Sequence, residues 1–271
     1  MATKPAAKKE ETTALATRSA ADVILHQDQV PDYIKQDSTR GSENVTTDDL
    51  VIPRLEVIQG LSPAVKPGDP GFIKGAAQGM LNNSVTRQLY GESCYIIPVY
   101  FTVQHLVWRD RKRAKELGIE QTGFFGAFNT AAEAQGRLEE EENGQDKALE
   151  VIDTPQHLCL VVNPDSGNCD EIMLSMPRTK AKVSRQFNSM IKLAGGDRFG
   201  RVYKVSSVLQ KNSQGDFYNF HIELAGFPAL PAYRQAEELY KAVSAGARKM
   251  TMDTSDLNGG ESSSEGGNEE Y

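Results

Sequence analysis

The chain has 271 residues, 39% of them hydrophobic, and a formal net charge of −7. That is enough apolar material for one domain with a core, flanked by polar ends. No run approaches the ~18 apolar residues of a membrane helix, and the N-terminus lacks the apolar stretch of a signal peptide, so a soluble intracellular protein is expected.

The three cysteines, Cys94, Cys159 and Cys169, are far apart and form no C-x-x-C pair, which points to a reducing compartment without a disulfide framework or a zinc ribbon. The acidity is segregated. Glu133 to Glu150 carries −5, and the segment after Lys249 carries −6 with no Lys or Arg. Setting both aside leaves +4 for the rest, so the folded part is mildly basic and the acid sits in two detachable segments.

In chain order, residues 1–49 are rich in Ala, Lys, Thr, Glu, Asp and Ser and read as a disordered arm. The domain is expected over residues 50–250, with 133–150 as an acidic loop insertion and 251–271 as a disordered acidic tail. Ser93 to Arg109 reads as one long strand or a broken pair, its odd positions apolar at Tyr95, Ile97, Val99, Phe101, Val103 and Val107 and facing the core. Pro98 marks an edge or a bulge where the strand bends. Two hairpins follow, Val151–Val162 with Glu171–Ser175 and Val202–Leu209 with Phe217–Ala225. Helical periodicity spans Arg178 to Ala194 and Tyr233 to Met250. The sum predicts a β-rich α+β fold, a small closed or nearly closed barrel with appended helices.

Enzyme signatures are missing. The glycines at Gly68, Gly71, Gly75 and Gly79 lack a G-K-[ST] ending, the four histidines form no H-x-x-x-H, and there is no G-x-S-x-G elbow. No catalytic residue, metal or cofactor is expected.

The strongest positive signal is Arg178 to Lys204. There Arg178, Lys180, Lys182, Arg185, Lys192, Arg198, Arg201 and Lys204 face one acid, Asp197. A solvated helix face normally mixes signs, and cations in a first turn oppose the helix dipole, so helix stability does not account for them. Cations beside a helix N-terminus suit phosphate. A second cluster, Arg109, Arg111, Lys112, Arg113 and Lys115, follows the only tryptophan, Trp108. Single strands are held by cations along the backbone and by aromatic faces that stack bases. The candidate platforms are Tyr90, Tyr100, Trp108, Tyr203 and Phe217, each of which a core would also use; Arg54 and Arg87 complete the candidate contacts. The Gly/Ser-spaced tail ends on a lone aromatic, with Glu265, Glu269, Glu270 and Tyr271 as a candidate partner-binding element.

The blocks Ile52-Pro53-Arg54-Leu55 with Gln59 and Leu61-Ser62-Pro63, Gly71-Phe72-Ile73, Asn83 with Thr86 and Tyr90-Gly91, Ile96 to Phe101 and Val107-Trp108 resemble single-stranded DNA-binding proteins of tailed bacteriophages. Arg201-Val202-Tyr203 and the closing helix extend the resemblance to residues 50–250. It implies an oligonucleotide-binding (OB) barrel coating replication and recombination intermediates in the cytoplasm of an infected bacterial host. It also implies an acidic C-terminus ending in an aromatic, which Glu269-Glu270-Tyr271 matches in type. Some relatives carry cysteines suggestive of metal in the central insertion; Phe124 to Gly144 has none, so no zinc is expected. The implied partners are single-stranded DNA, replication proteins (a polymerase, a helicase or primase) or host RNA polymerase through the tail, and a second copy of the chain in a homo-oligomer. The alternative is a phage interaction factor, a transcription regulator or virion component, acting through its acidic segments.

Overall fold

A computed structural model describes residues 40–46, 49–119, 123–143, 148–163, 167–212, 215–248 and 250. The expected N-terminal arm up to residue 39 and the tail from residue 251 lie outside the described residues.

The strands are β1 (Leu55–Val57), β2 (Leu81–Asn83), β3 (Leu89–Gly91), β4 (Ser93–Arg109), β5 (Phe124–Phe128), β6 (Leu149–Val162), β7 (Cys169–Ser175), β8 (Val202–Asn212) and β9 (Gly215–Gly226). The helices are α1 (Arg111–Glu116), α2 (Ala131–Asn143), α3 (Ala181–Ala194) and α4 (Leu230–Ser244). All strand pairs are antiparallel. The larger sheet has the order β7-β6-β4-β8-β9, with β5 on the far half of β4, and β1-β2-β3 form a small second sheet.

The long strand spans the expected residues, and the bulge falls at Pro98. Pro98 pairs with Cys159 and Tyr100 with Leu158, which leaves Val99 as the extra residue. One extra residue reverses the facing of everything beyond it. Ile96 therefore shares a face with Phe101, not with Val99, and the single odd-numbered core face expected from the sequence does not form. Both faces are covered instead. On one, Cys94, Ile96, Val161, Ile172, Tyr203, Val205, Phe220 and Ile222 pack with the small sheet and with Phe187 and Ile191 of α3. On the other, Ile97, Val99, Leu158 and Leu160 pack with Ile52 and with Ala232, Ala236 and Leu239 of α4.

The sheets do not close into a barrel, which corrects the closed form expected from the sequence. The small sheet nevertheless spans the gap between the two ends of the large one. At β7 a single parallel bridge joins Arg54 to Met173, whose N–H donates to Pro53 O at 2.8 Å. At β9 the side chain of Gln59 stands in for a strand: its Nε2 donates to Tyr218 O and its Oε1 accepts from Tyr218 N, both at 2.9 Å. Ser207 Oγ donates to Gly79 O at 2.6 Å beside this joint. Gly79 has φ +84°, and a Cβ there would lie 2.7 Å from the Tyr218 ring, so glycine is required on both counts. Two one-residue joints replace two ladders.

The acidic insertion is a helix and not a loop over Ala131–Asn143. Thr130 and Glu133 form a reciprocal capping box at its start: Glu133 N donates to Thr130 Oγ1 at 3.3 Å, and Thr130 N to Glu133 Oε2 at 3.2 Å. Ala134 and Leu138, four apart, pack on Val107 and Leu149, while Arg137 pairs with Glu140 and Glu141 on the solvent side.

Candidate nucleic-acid interface

Helix α3 forms because Val183, Phe187, Met190, Ile191 and Ala194 recur at spacings of three and four, and the stripe docks against β9 and β6. Its C-terminal carbonyls are capped by Arg201, which donates to Ala194 O at 2.8 Å and to Gly195 O at 2.9 Å while its guanidinium lies 5.5 Å from the Phe227 ring. The opposite face carries Lys182, Arg185 and Lys192, all exposed, and among the described residues none of the three has an ion-pair partner. They form a bank of uncompensated positive charge.

Arg178 and Lys180 lie outside that helix, in a 3-10 turn that leads into it. Arg178 has φ 50°, a strained value for a side-chain-bearing residue, and pairs with Glu150. Lys180 is half-buried with its ammonium 4.8 Å from the Phe220 ring; burial lowers its pKa, and nearby Glu56 opposes that shift.

The other candidate contacts scatter. Arg54 is 7% exposed and pairs with Glu56 at 3.0 Å, and Tyr203 is 1% exposed with its ring edge-on to Phe187 at 5.0 Å, so both are core residues and not surface contacts. Tyr90 is half-buried, its hydroxyl accepts from Asn83 Nδ2 at 3.4 Å, and burial raises its pKa. Tyr100 is half-buried against Tyr240 of α4. Phe217 is half-buried on β9. Arg87 (φ 59°) donates to Pro70 O at 2.9 Å, and Lys204 faces Glu223 at 3.8 Å.

The second basic cluster stays on one local unit. Trp108 is half-buried with Phe124 5.3 Å away, and Arg109 sits 4.8 Å from the Phe125 ring. Lys112, Arg113 and Lys115 are exposed on α1, which also holds Arg111 and is capped by Asp110 accepting from Arg113 N at 2.7 Å. Glu265, Glu269, Glu270 and Tyr271 lie outside the described residues.

Two features have no signature in the sequence. The first is a buried chain in which Arg198 donates to His157 Nδ1 at 2.7 Å and His157 Nε2 meets Ser184 Oγ at 2.8 Å. Because Nδ1 accepts from the guanidinium, the ring proton sits on Nε2 and is donated to the serine. A histidine so arranged cannot take the serine proton, and Ser184 is itself buried, so the pair is a structural joint and not a nucleophile with its base. Burial and the charge of Arg198 lower the pKa of His157 to about 3. The second is a groove of about 490 Å³ between α3 and β9, lined by Val183, Arg185, Met190, Leu193, His221 and Ile222 among others. No spacing rule reveals it, since its walls lie on elements far apart in sequence.

Among the described residues no group of three or more His, Cys, Asp or Glu gathers as metal ligands, and no helix is long and apolar enough to cross a membrane. No curated protein and no solved structure matches the chain. Residues 21–249 match the family described as Pam3 phage gp34-like protein, and the chain belongs to that family of bacteriophage proteins.

Proposed function

We propose that this phage protein binds single-stranded DNA without sequence preference, in the replication and recombination of the phage genome within the host cytoplasm. The observation that carries the reading is the bank of Lys182, Arg185 and Lys192 on α3, exposed and without a carboxylate partner among the described residues. A protein folded for stability alone gains nothing from three such cations on one helix face, whereas a phosphate chain releases counterions on meeting them. Membership of a phage family and the resemblance of residues 50–250 to phage single-strand binders agree with it.

The sheet supports an OB-type reading in an opened form: a long bulged central strand, a β8–β9 hairpin, and a small sheet bridging the ends at Arg54–Met173 and Gln59–Tyr218. Lys112, Arg113 and the half-buried Trp108 supply a second contact region at the far end of β4. The acidic tail serves to recruit replication proteins and competes with DNA for the same cations. Fluorescence anisotropy with labelled oligo(dT) and a duplex of equal length tests the reading. Binding of the single strand in preference to the duplex is expected, and no binding of either refutes it.

A further inference from the structure

We propose that the groove between α3 and the outer edge of β9 is a docking site for an extended acidic peptide of a partner protein, which adds a strand to the sheet. The proposal does not require the DNA-binding reading, although the cations of α3 serve both. β9 is the last strand of its sheet, so one side of its backbone has no strand neighbour. Tyr218 turns its N–H and C=O away from β8 toward Gln59, and backbone direction alternates along an antiparallel pair. Phe220, Ile222 and Leu224 therefore turn theirs outward as well. Gln59 satisfies Tyr218 and the Asn219 side chain accepts from Phe220 N at 2.8 Å, whereas the outward groups of Ile222 and Leu224 have no hydrogen-bond partner among the described residues.

Sheets blunt such edges with charge, proline or a covering segment. Here Gln59 and Asn219 cover only the Tyr218–Phe220 half of the edge and leave the Ile222–Leu224 half open. Leu224 is 57% exposed on β9, and Leu193 of α3, 88% exposed, lines the groove with Met190 opposite Ile222. A free strand edge under an apolar helix stripe fits an added strand, whose backbone meets Ile222 and Leu224 and whose alternate side chains enter the groove. Arg185 lines the groove, and Lys182 and Lys192 are exposed on the same helix, all uncompensated among the described residues, so the complementary peptide carries carboxylates. The chain's own tail is acidic but is the poorer occupant, because Asn258 to Tyr271 places Gly, Ser and Asn between its acids where the groove takes apolar side chains.

The test uses the full chain and a fluorescein-labelled synthetic peptide alternating leucine with glutamate, followed by anisotropy. Saturable binding is expected. It should weaken by about tenfold when alternate peptide nitrogens are methylated, the size of one missing hydrogen bond, and by a similar factor in Leu193→Ser. Oligo(dT) affinity should be unchanged in Leu193→Ser, which leaves every cation in place and adds no charge. Failure of the peptide to bind, or indifference to N-methylation, overturns the proposal. So does equal competition by a peptide of Asn258–Tyr271, which makes the tail the occupant, or loss of oligo(dT) binding in Leu193→Ser, which makes the groove a DNA site. If no oligonucleotide binds but the peptide does, the docking site stands and the DNA-binding reading falls.

Discussion

Gln59 holds Tyr218 by both of its backbone groups, at 2.9 Å each, across 159 positions of sequence. One side-chain amide thus does the work of a strand pair and joins the small sheet to β9. Replacing Gln59 by Leu should cost roughly 1–3 kcal/mol, the net value of two hydrogen bonds with the Tyr218 N–H and C=O both left without Gln59. Urea unfolding measures the loss, and hydrogen exchange at the Tyr218 amide should speed up more than at Val205. Unchanged exchange at Tyr218 would show that the joint is held elsewhere.

His157 makes the fold acid-sensitive. Its pKa is about 3 in the folded chain against an ordinary value near 6.5, so the unfolded state takes up a proton first as pH falls. The stability this group contributes is complete above pH ~6.5 and drains away toward pH ~3, at up to about 1.4 kcal/mol per pH unit. Comparing the wild type with His157→Gln removes the background of titrating carboxylates. The difference in unfolding free energy between the two proteins should shrink as pH drops from 7 to 4.5, and a constant difference would contradict the buried neutral histidine.

Tyr203 and Trp108 should respond differently to truncation. Tyr203 is a core residue, so Tyr203→Ala is expected to cost ~3–5 kcal/mol of stability. Trp108 is half-buried beside Phe124, and as a proposed stacking platform its replacement in Trp108→Ala should cost ~1–3 kcal/mol of oligo(dT) binding. A lower melting temperature with retained affinity in Trp108→Ala would take it off the binding surface.

Deleting Asp253 to Tyr271 removes six carboxylates and raises the net charge from −7 to −1. DNA affinity should rise at low salt, with the gain fading toward physiological ionic strength, because a tethered acidic segment competes for cations through a screened interaction. Scrambling the tail while keeping its charge should leave the inhibition intact. A truncated chain that binds no more tightly than the intact one at low salt would make the tail a solubilising appendage.

Much of the sheet is legible in the sequence because its period is local. The limits of β4 and both later hairpins follow from alternation and turn residues, whereas the facing of β4 does not, since one extra residue at Val99 reverses it. Helix α2 is hidden by its acidity, although Thr130 and Glu133 spell a capping box. The residues that carry the phage resemblance prove to be joints: Gln59 ties β9, Arg54 bridges Met173, and Asn83 Oδ1 accepts from Val85 N and Thr86 N to fix the turn after β2. They mark the fold more than the binding surface. Charge counting finds the cations of α3 but does not separate them from Arg198, which the fold buries against His157. That distinction depends on packing between distant segments.

The most direct test is a salt series of poly(dT) affinity for the wild type and for Lys182→Ala/Arg185→Ala/Lys192→Ala. The plot of log affinity against log salt should be steeply negative for the wild type. In the variant its slope should shrink by about 0.7 for each phosphate that no longer meets a cation, with unfolding curves unchanged. A folded variant with the wild-type affinity and slope would contradict the claim that α3 holds the DNA backbone.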